Sequence, residues 1–181
     1  MDKELIKGLI AEYQQFVKSV SFVKRAVTLS DNFNYVFVGL RRVGKSYLMY
    51  QQIHHLIETG ISPEEILFFN FEDERIAGMD TEHLDMIKRC YEEMYSHRPI
   101  FFLDEIQIVP HWEQFVRRLA DQKYRVYVTG SNAKMLRKDI ATTLGGRFMI
   151  QYVYPFSFRE YLSSNGVQLD KLWIYKNRSE V

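Results

Sequence analysis

Apolar positions along the chain change their period several times, and each change falls at a glycine, proline or serine break. Leu5, Leu9, Tyr13 and Phe16 recur at three- and four-residue steps, which predicts a helix and then an irregular lead-in through residue 24. Tyr35-Val36-Phe37-Val38 is short, apolar and without alternation, as in a strand buried on both faces. Past a glycine-bounded break, Leu48, Met49, Gln52, Ile53, Leu56 and Ile57 return to the helical step, and Gly60 supplies a stop. The unit is strand, tight loop, helix.

That unit repeats. Ser62-Pro63-Glu64-Glu65 reads as a short capped turn before a second buried strand, Ile66 to Phe71. Thr81 to Tyr95 sets Leu84, Met86, Ile87 and Tyr91 among many charges and predicts an exposed helix, closed by Arg98-Pro99. Ile100-Phe101-Phe102-Leu103 is a third strand. Trp112, Phe115, Val116, Leu119 and Ala120 form one face of the next helix, and Arg125 to Thr129 is a fourth strand running into Gly130-Ser131-Asn132. Phe148 to Tyr154 supplies a fifth before Pro155. Ser157 and Glu160 then have the spacing of a capping box that starts a last helix, with Phe156 and Tyr161 at the positions of a hydrophobic staple. Lys171 to Val181 shows little periodicity. Strand and helix in alternation predict an α/β fold of three layers, a mostly parallel sheet of about five strands with helices on both faces. Its ligand site should lie beyond the carboxyl ends of the strands.

Composition narrows the class. A chain of 181 residues, 46% hydrophobic, suits one soluble domain. The 24 basic and 23 acidic residues leave a formal charge of +1, so no global field directs it to nucleic acid or anionic lipid. Cys90 is the single cysteine, the opening Met-Asp-Lys-Glu is unlike a signal peptide, and no apolar run is long enough to span a bilayer. These features predict a cytoplasmic protein outside the membrane.

The candidate chemistry falls at the predicted strand ends. Gly39-Leu40-Arg41-Arg42-Val43-Gly44-Lys45-Ser46 follows the first strand and opens a helix, the context of a phosphate-binding loop. The glycines let backbone N–H groups turn inward as an anion nest, Lys45 reaches the outer phosphates, and the Ser46 hydroxyl binds Mg²⁺. Gly39 through Tyr47 is therefore the predicted contact stretch for ATP or ADP. Asp104, at the tip of the third strand, is expected to hold Mg²⁺ through water opposite Ser46. Strand side chains alternate, so Glu105 should point elsewhere and polarise a water aimed at the γ-phosphate. Either Ser131 or Asn132 can sense that phosphate, although the same residues also make an ordinary turn and helix cap. Arg147, behind Gly145-Gly146, can neutralise transition-state charge from its own chain or a neighbour's; a surface arginine or a carboxylate partner accounts for it equally well. His54, His55, His83, His97 and His111 show no metal-site spacing. Arg117-Arg118 and the cluster Lys134 to Lys138 read as solvated helix faces, which leaves nucleic acid a weakly supported partner.

Taken together, "VGLRRVGKS", "FFLDEIQ", "VTGSNAKML", "LGGR" and "PFSFREYL" resemble the AAA_14 P-loop ATPases, an AAA+-like family of bacteria and archaea, over roughly Arg25 to Leu162. The resemblance implies that Gly39, Gly44, Lys45 and Ser46 bind ATP, that Asp104 and Glu105 serve Mg²⁺ and water, and that Ser131 or Asn132 is the sensor. Arg147 matches a GR position of the family. It also implies partners: further copies of the chain, and an attached C-terminal domain, often the one labelled DUF4143. Residues 163–181 are then the start of a region outside this sequence, and 25–162 the ATPase core. Two functions are expected to compete, an ATP hydrolase driving a partner or attached domain, and a nucleotide-gated binding module with little hydrolysis, associated with DNA. A small-molecule kinase is disfavoured, because Glu105 suits water and no acceptor pocket is legible.

Overall fold

Each apolar run of the sequence is a strand in the computed structural model, which describes residues 2–131 and 142–167 and, at Ser131, the backbone alone. Strands β1 (Asn34–Gly39), β2 (Ile66–Asn70), β3 (Ile100–Asp104), β4 (Val126–Ser131) and β5 (Phe148–Tyr152) form one sheet in the order β2-β3-β4-β1-β5. All four neighbouring pairs are parallel. Helices α1 (Lys3–Ser19), α2 (Lys45–Glu58), α3 (Thr81–Met94), α4 (Trp112–Asp121) and α5 (Phe158–Ser164) accompany the sheet, with short 3-10 turns at Pro63–Glu65, Glu74–Ile76 and Ile106–Ile108. This is the three-layer P-loop NTPase fold that the alternation predicts.

The crossovers follow from strand order. The connection through α2 runs from β1 over β4 and β3 to the edge strand β2, whereas those through α3 and α4 step back one strand at a time. Right-handed crossovers running in opposite directions place α2 on one face and α3 and α4 on the other. The path reverses between β1 and β4, and a ligand crevice opens at such a switch point. Cross-strand aromatic stacking holds the centre: Tyr127 lies 4.5 Å from Phe102 and 5.9 Å from Tyr35, ring centre to ring centre.

The two sheet edges are treated differently. Helix α1 buries Ile6, Leu9, Ile10, Tyr13 and Val17 in the common core, so the first 24 residues share the core of the rest. It lies along β2, where Gln14 Nε2 donates to the Ile66 carbonyl at 2.9 Å and the Tyr13 hydroxyl donates to Asp73 Oδ2 at 2.6 Å. An edge strand covered in this way presents fewer free backbone groups to other chains. Strand β5 forms the other edge with Met149, Ile150 and Tyr152 about half exposed. The capping boxes at Ser62–Glu65 and Ser157–Glu160 form as expected. The staple adds little burial, since Phe156 and Tyr161 stay 45% and 57% exposed.

Candidate functional site

The parallel register brings Gly39, Asn70, Asp104 and Ser131 to one end of the sheet, Gly39 opposite Ser131 and Asn70 opposite Asp104. Between β1 and α2 the chain makes the loop, and its two glycines serve different ends. Gly44 has φ +93°, a left-handed conformation natural to glycine, and stands as the N-cap of α2 without a side-chain cap. A Cβ on Gly39 would stand 2.4 Å from the Val153 carbonyl oxygen, so that position is small because the backbone after β5 passes against it. Sequence reasoning gave both glycines to the anion nest; close packing explains the first.

Lys45, the first residue of α2, is 4% exposed. Its Nζ donates to the Leu40 carbonyl at 3.3 Å and pairs with Glu105 Oε1 at 3.1 Å. Asp104 is 3% exposed, and the Thr129 hydroxyl donates to its Oδ1 at 2.5 Å. Burial pushes the Asp104 carboxyl up to about 6, against hydrogen bonds from Thr129 and Ser46 that favour its charge. Glu105 stands just beyond β3 at φ 54°, so a left-handed turn, not strand alternation, sends it away from Asp104 and toward Lys45. Its N–H donates to Thr129 Oγ1 at 2.8 Å, and Gln107 Nε2 donates to its Oε2 at 2.6 Å. Thr129 thus bridges Asp104 and the Glu105 backbone. Sequence reasoning passed over it, because a threonine in a strand is ordinarily a packing residue; full burial of its hydroxyl at a strand end is the mark.

Two cavities meet above these groups. One of about 480 Å³ covers Lys45, Ser46 and Glu105, with Arg41 paired to Glu72 at 3.0 Å on its rim. The other, about 700 Å³, is lined by Phe22, Val23, Val43, Pro155 and Phe156, and both include Arg42, Gly44 and Tyr47 in their walls. The N–H groups of the first turn of α2 have no side-chain acceptor at the cap, which suits an anion there. Among the described residues no group of three or more His, Cys, Asp or Glu could hold a metal. The donors present, one carboxylate and one hydroxyl, instead fit Mg²⁺, which keeps several waters and takes phosphate oxygens for the rest.

Arg147 is not brought to this place. It precedes β5, whose five residues at about 3.3 Å each set it roughly 17 Å from the loop end. There its Nε donates to Asp121 Oδ1 at 2.5 Å, so within one chain it is the carboxylate-paired arginine of the plainer reading. Asn132, Lys134 to Lys138 and Lys171 to Val181 lie outside the described residues.

A family model described as an AAA domain, AAA_14, matches residues 31–162. The chain belongs to the AAA_14 family. Among relatives of this AAA_14 chain, an uncharacterized protein of Methanocaldococcus jannaschii is 30% identical over 99% of the chain and 40% of its own length. One of Haemophilus influenzae is 34% identical over 88% of the chain and 41% of its own length. The chain thus spans about two fifths of these relatives. Among solved structures, the closed state of Hsp104 with ATPγS and FITC casein superposes with a TM-score of 0.50 at 14% identity, over 89% of this chain and 28% of that one. That likeness shows the fold. The AAA_14 domain is of the nucleotide-binding P-loop ATPase type, and among its described residues no helix is long and apolar enough to cross a membrane.

Proposed function

We propose that this AAA_14 domain binds Mg²⁺-ATP and hydrolyses it, and that nucleotide state is passed to a partner or attached domain. The observation that carries the reading is the convergence of Lys45, Ser46, Asp104 and Glu105 beneath two adjoining cavities, one polar and one apolar. The polar cavity suits the phosphates, with the nest of residues 39–46 and the start of α2 facing them. The apolar cavity suits the nucleobase, which would stack against Phe156 or Tyr47. Ser46 and Asp104, which adjoin each other, would hold Mg²⁺, and the ion would supply charge neutralisation on the phosphates. Phosphate would draw Lys45 off Glu105 and free that carboxylate. Glu105, with the buried and unpartnered Gln107 Oε1 nearby, would then hold and polarise the attacking water. Ser131 ends the strand next to β1, within the same end of the sheet, and Asn132 follows it; either is proposed as the sensor. Arg147, paired with Asp121 in its own chain, is proposed to act on a neighbouring copy.

One observation favours the second reading, a nucleotide-gated module with little turnover: Glu105 is paired with Lys45 rather than open to water. Phosphate release under saturating ATP and Mg²⁺, wild type against Glu105→Gln, separates the two. Hydrolysis predicts a fall of about 10²–10⁴-fold with ATP still bound. Negligible release by wild type with ATP bound would leave the gated module, and equal, substantial rates would give the water to another residue.

A further inference from the structure

A second buried charge takes no part in the chemistry above. Arg25 and Glu160 are 8% and 9% exposed, and Arg25 Nε donates to Glu160 Oε1 at 2.8 Å. The rest of the guanidinium is also engaged. Nη1 donates to the Val43 carbonyl in the loop at 3.2 Å, Nη2 donates to the Tyr154 carbonyl beyond β5 at 2.7 Å, and the group lies 4.9 Å over the Phe156 ring. Nη1 would be 3.5 Å from a Cβ at Gly44. Glu160 is fixed in turn, because its Oε2 accepts from both the N–H and the hydroxyl of Ser157, each at 2.8 Å, in the capping box of α5. The Arg25 N–H donates to Gln51 Oε1 on α2 at 2.6 Å.

One side chain therefore ties the phosphate loop to the exit of β5 and the first turn of α5, and it does so in the wall of the 700 Å³ cavity. Stability is a poor reason for such a pair, since apolar residues of the same volume often serve as well in its place. What a planar, five-donor group fixes is relative position.

We infer that Arg25, oriented by Glu160, is a positioning residue that couples the phosphate loop to the corner formed by residues 154–161. Nucleotide in the loop and order in that corner then rise together, and the reciprocity of linkage requires each to favour the other. Phe156, which lines the cavity and lies against the guanidinium, is the point where ligand and strut meet. Lysine at position 25 would keep the charge and lose the fork that reaches three acceptors at once. The inference rests on the nucleotide reading above.

The test measures Mg²⁺-ADP affinity by calorimetry and amide exchange over residues 154–161, with and without ADP, in wild type, Arg25→Lys and Glu160→Gln. In wild type, ADP should slow exchange in the corner. Both variants should bind ADP about tenfold more weakly and lose that slowing, while exchange in α3, on the far face, stays as in wild type. Glu160→Gln keeps the side-chain shape and serves if Arg25→Lys fails to fold. Wild-type affinity together with intact slowing in the variants would overturn the coupling, as would ADP binding in wild type without any change at 154–161. Failure of wild type to bind ADP would overturn the nucleotide reading itself, and the coupling with it.

Discussion

At the carboxyl ends of β1, β3 and β4, charged side chains are buried and face one another: Lys45 and Asp104 are below 5% exposed, and Glu105 pairs with the lysine. At the amino ends of the strands the charges are more open to solvent: Arg147, just before β5, pairs with Asp121, their side chains 36% and 48% exposed, and Asp31, 42% exposed, stands 4.0 Å from Arg125, which is 28% exposed. The second arrangement needs no explanation, because exposed pairs contribute about 0–1 kcal/mol and form wherever opposite charges meet. The first does. Gathering desolvated charges costs free energy that their mutual attraction only partly offsets, and such clusters occur most often at functional sites, which supports the nucleotide reading proposed above. The difference teaches that Arg147 and Lys45, both read from glycine-rich stretches, belong to opposite ends of the molecule.

The contrast can be broken first at Asp104. Asp104→Asn keeps the shape and removes the charge that would hold Mg²⁺ through water, so Mg²⁺-dependent nucleotide affinity should fall by about a hundredfold. Titration with and without the metal checks this, and unchanged dependence on Mg²⁺ would take Asp104 out of the site. A smaller effect is expected at Thr129. Thr129→Val deletes the hydroxyl that joins Asp104 to the Glu105 backbone and should lower turnover about tenfold, with Thr129→Ser restoring most of it. Equal rates for the valine and serine variants would mean that the threonine only packs.

A third effect is on stability in acid. Burial raises the Glu160 carboxyl, but the Ser157 N–H and the Arg25 guanidinium outweigh it and hold the group at about 2, below its ordinary 4.5. A depressed value in the fold means that the stability it contributes is complete above pH 4.5 and is lost as pH falls toward about 2. Denaturant midpoints of wild type should therefore drop more steeply over that window than those of Glu160→Gln. Parallel profiles would show that the pair contributes nothing of this kind.

Much of this was legible because the informative residues are contiguous. Gly39 to Ser46 forms one turn, and Asp104-Glu105 ends one apolar run, so strand, loop and helix could be placed by period and punctuation alone. Arg25 and Glu160 are 135 positions apart, and Glu160 read only as a helix cap; nothing local signals that the two meet. The cover that α1 gives to β2 likewise depends on strand order, which the alternation of elements does not specify. Arg147 is a case that the sequence alone leaves open. Its position just before an apolar run puts it at the amino end of a parallel strand, away from the loop of its own chain, whereas its residue type suits phosphate on a neighbouring copy equally well.

Calorimetric titration of Mg²⁺-ATP into wild type, Lys45→Ala and Arg147→Ala, all at one protein concentration and all shown to be folded, tests the central claim that one end of the sheet is the nucleotide site. Lys45→Ala should lose about a hundredfold or more in affinity, the cost of removing a charge-assisted contact to phosphate and leaving Glu105 without its partner. Arg147→Ala should bind as wild type does. Equal affinities for wild type and Lys45→Ala, or a loss in Arg147→Ala as large as in Lys45→Ala, would contradict the account.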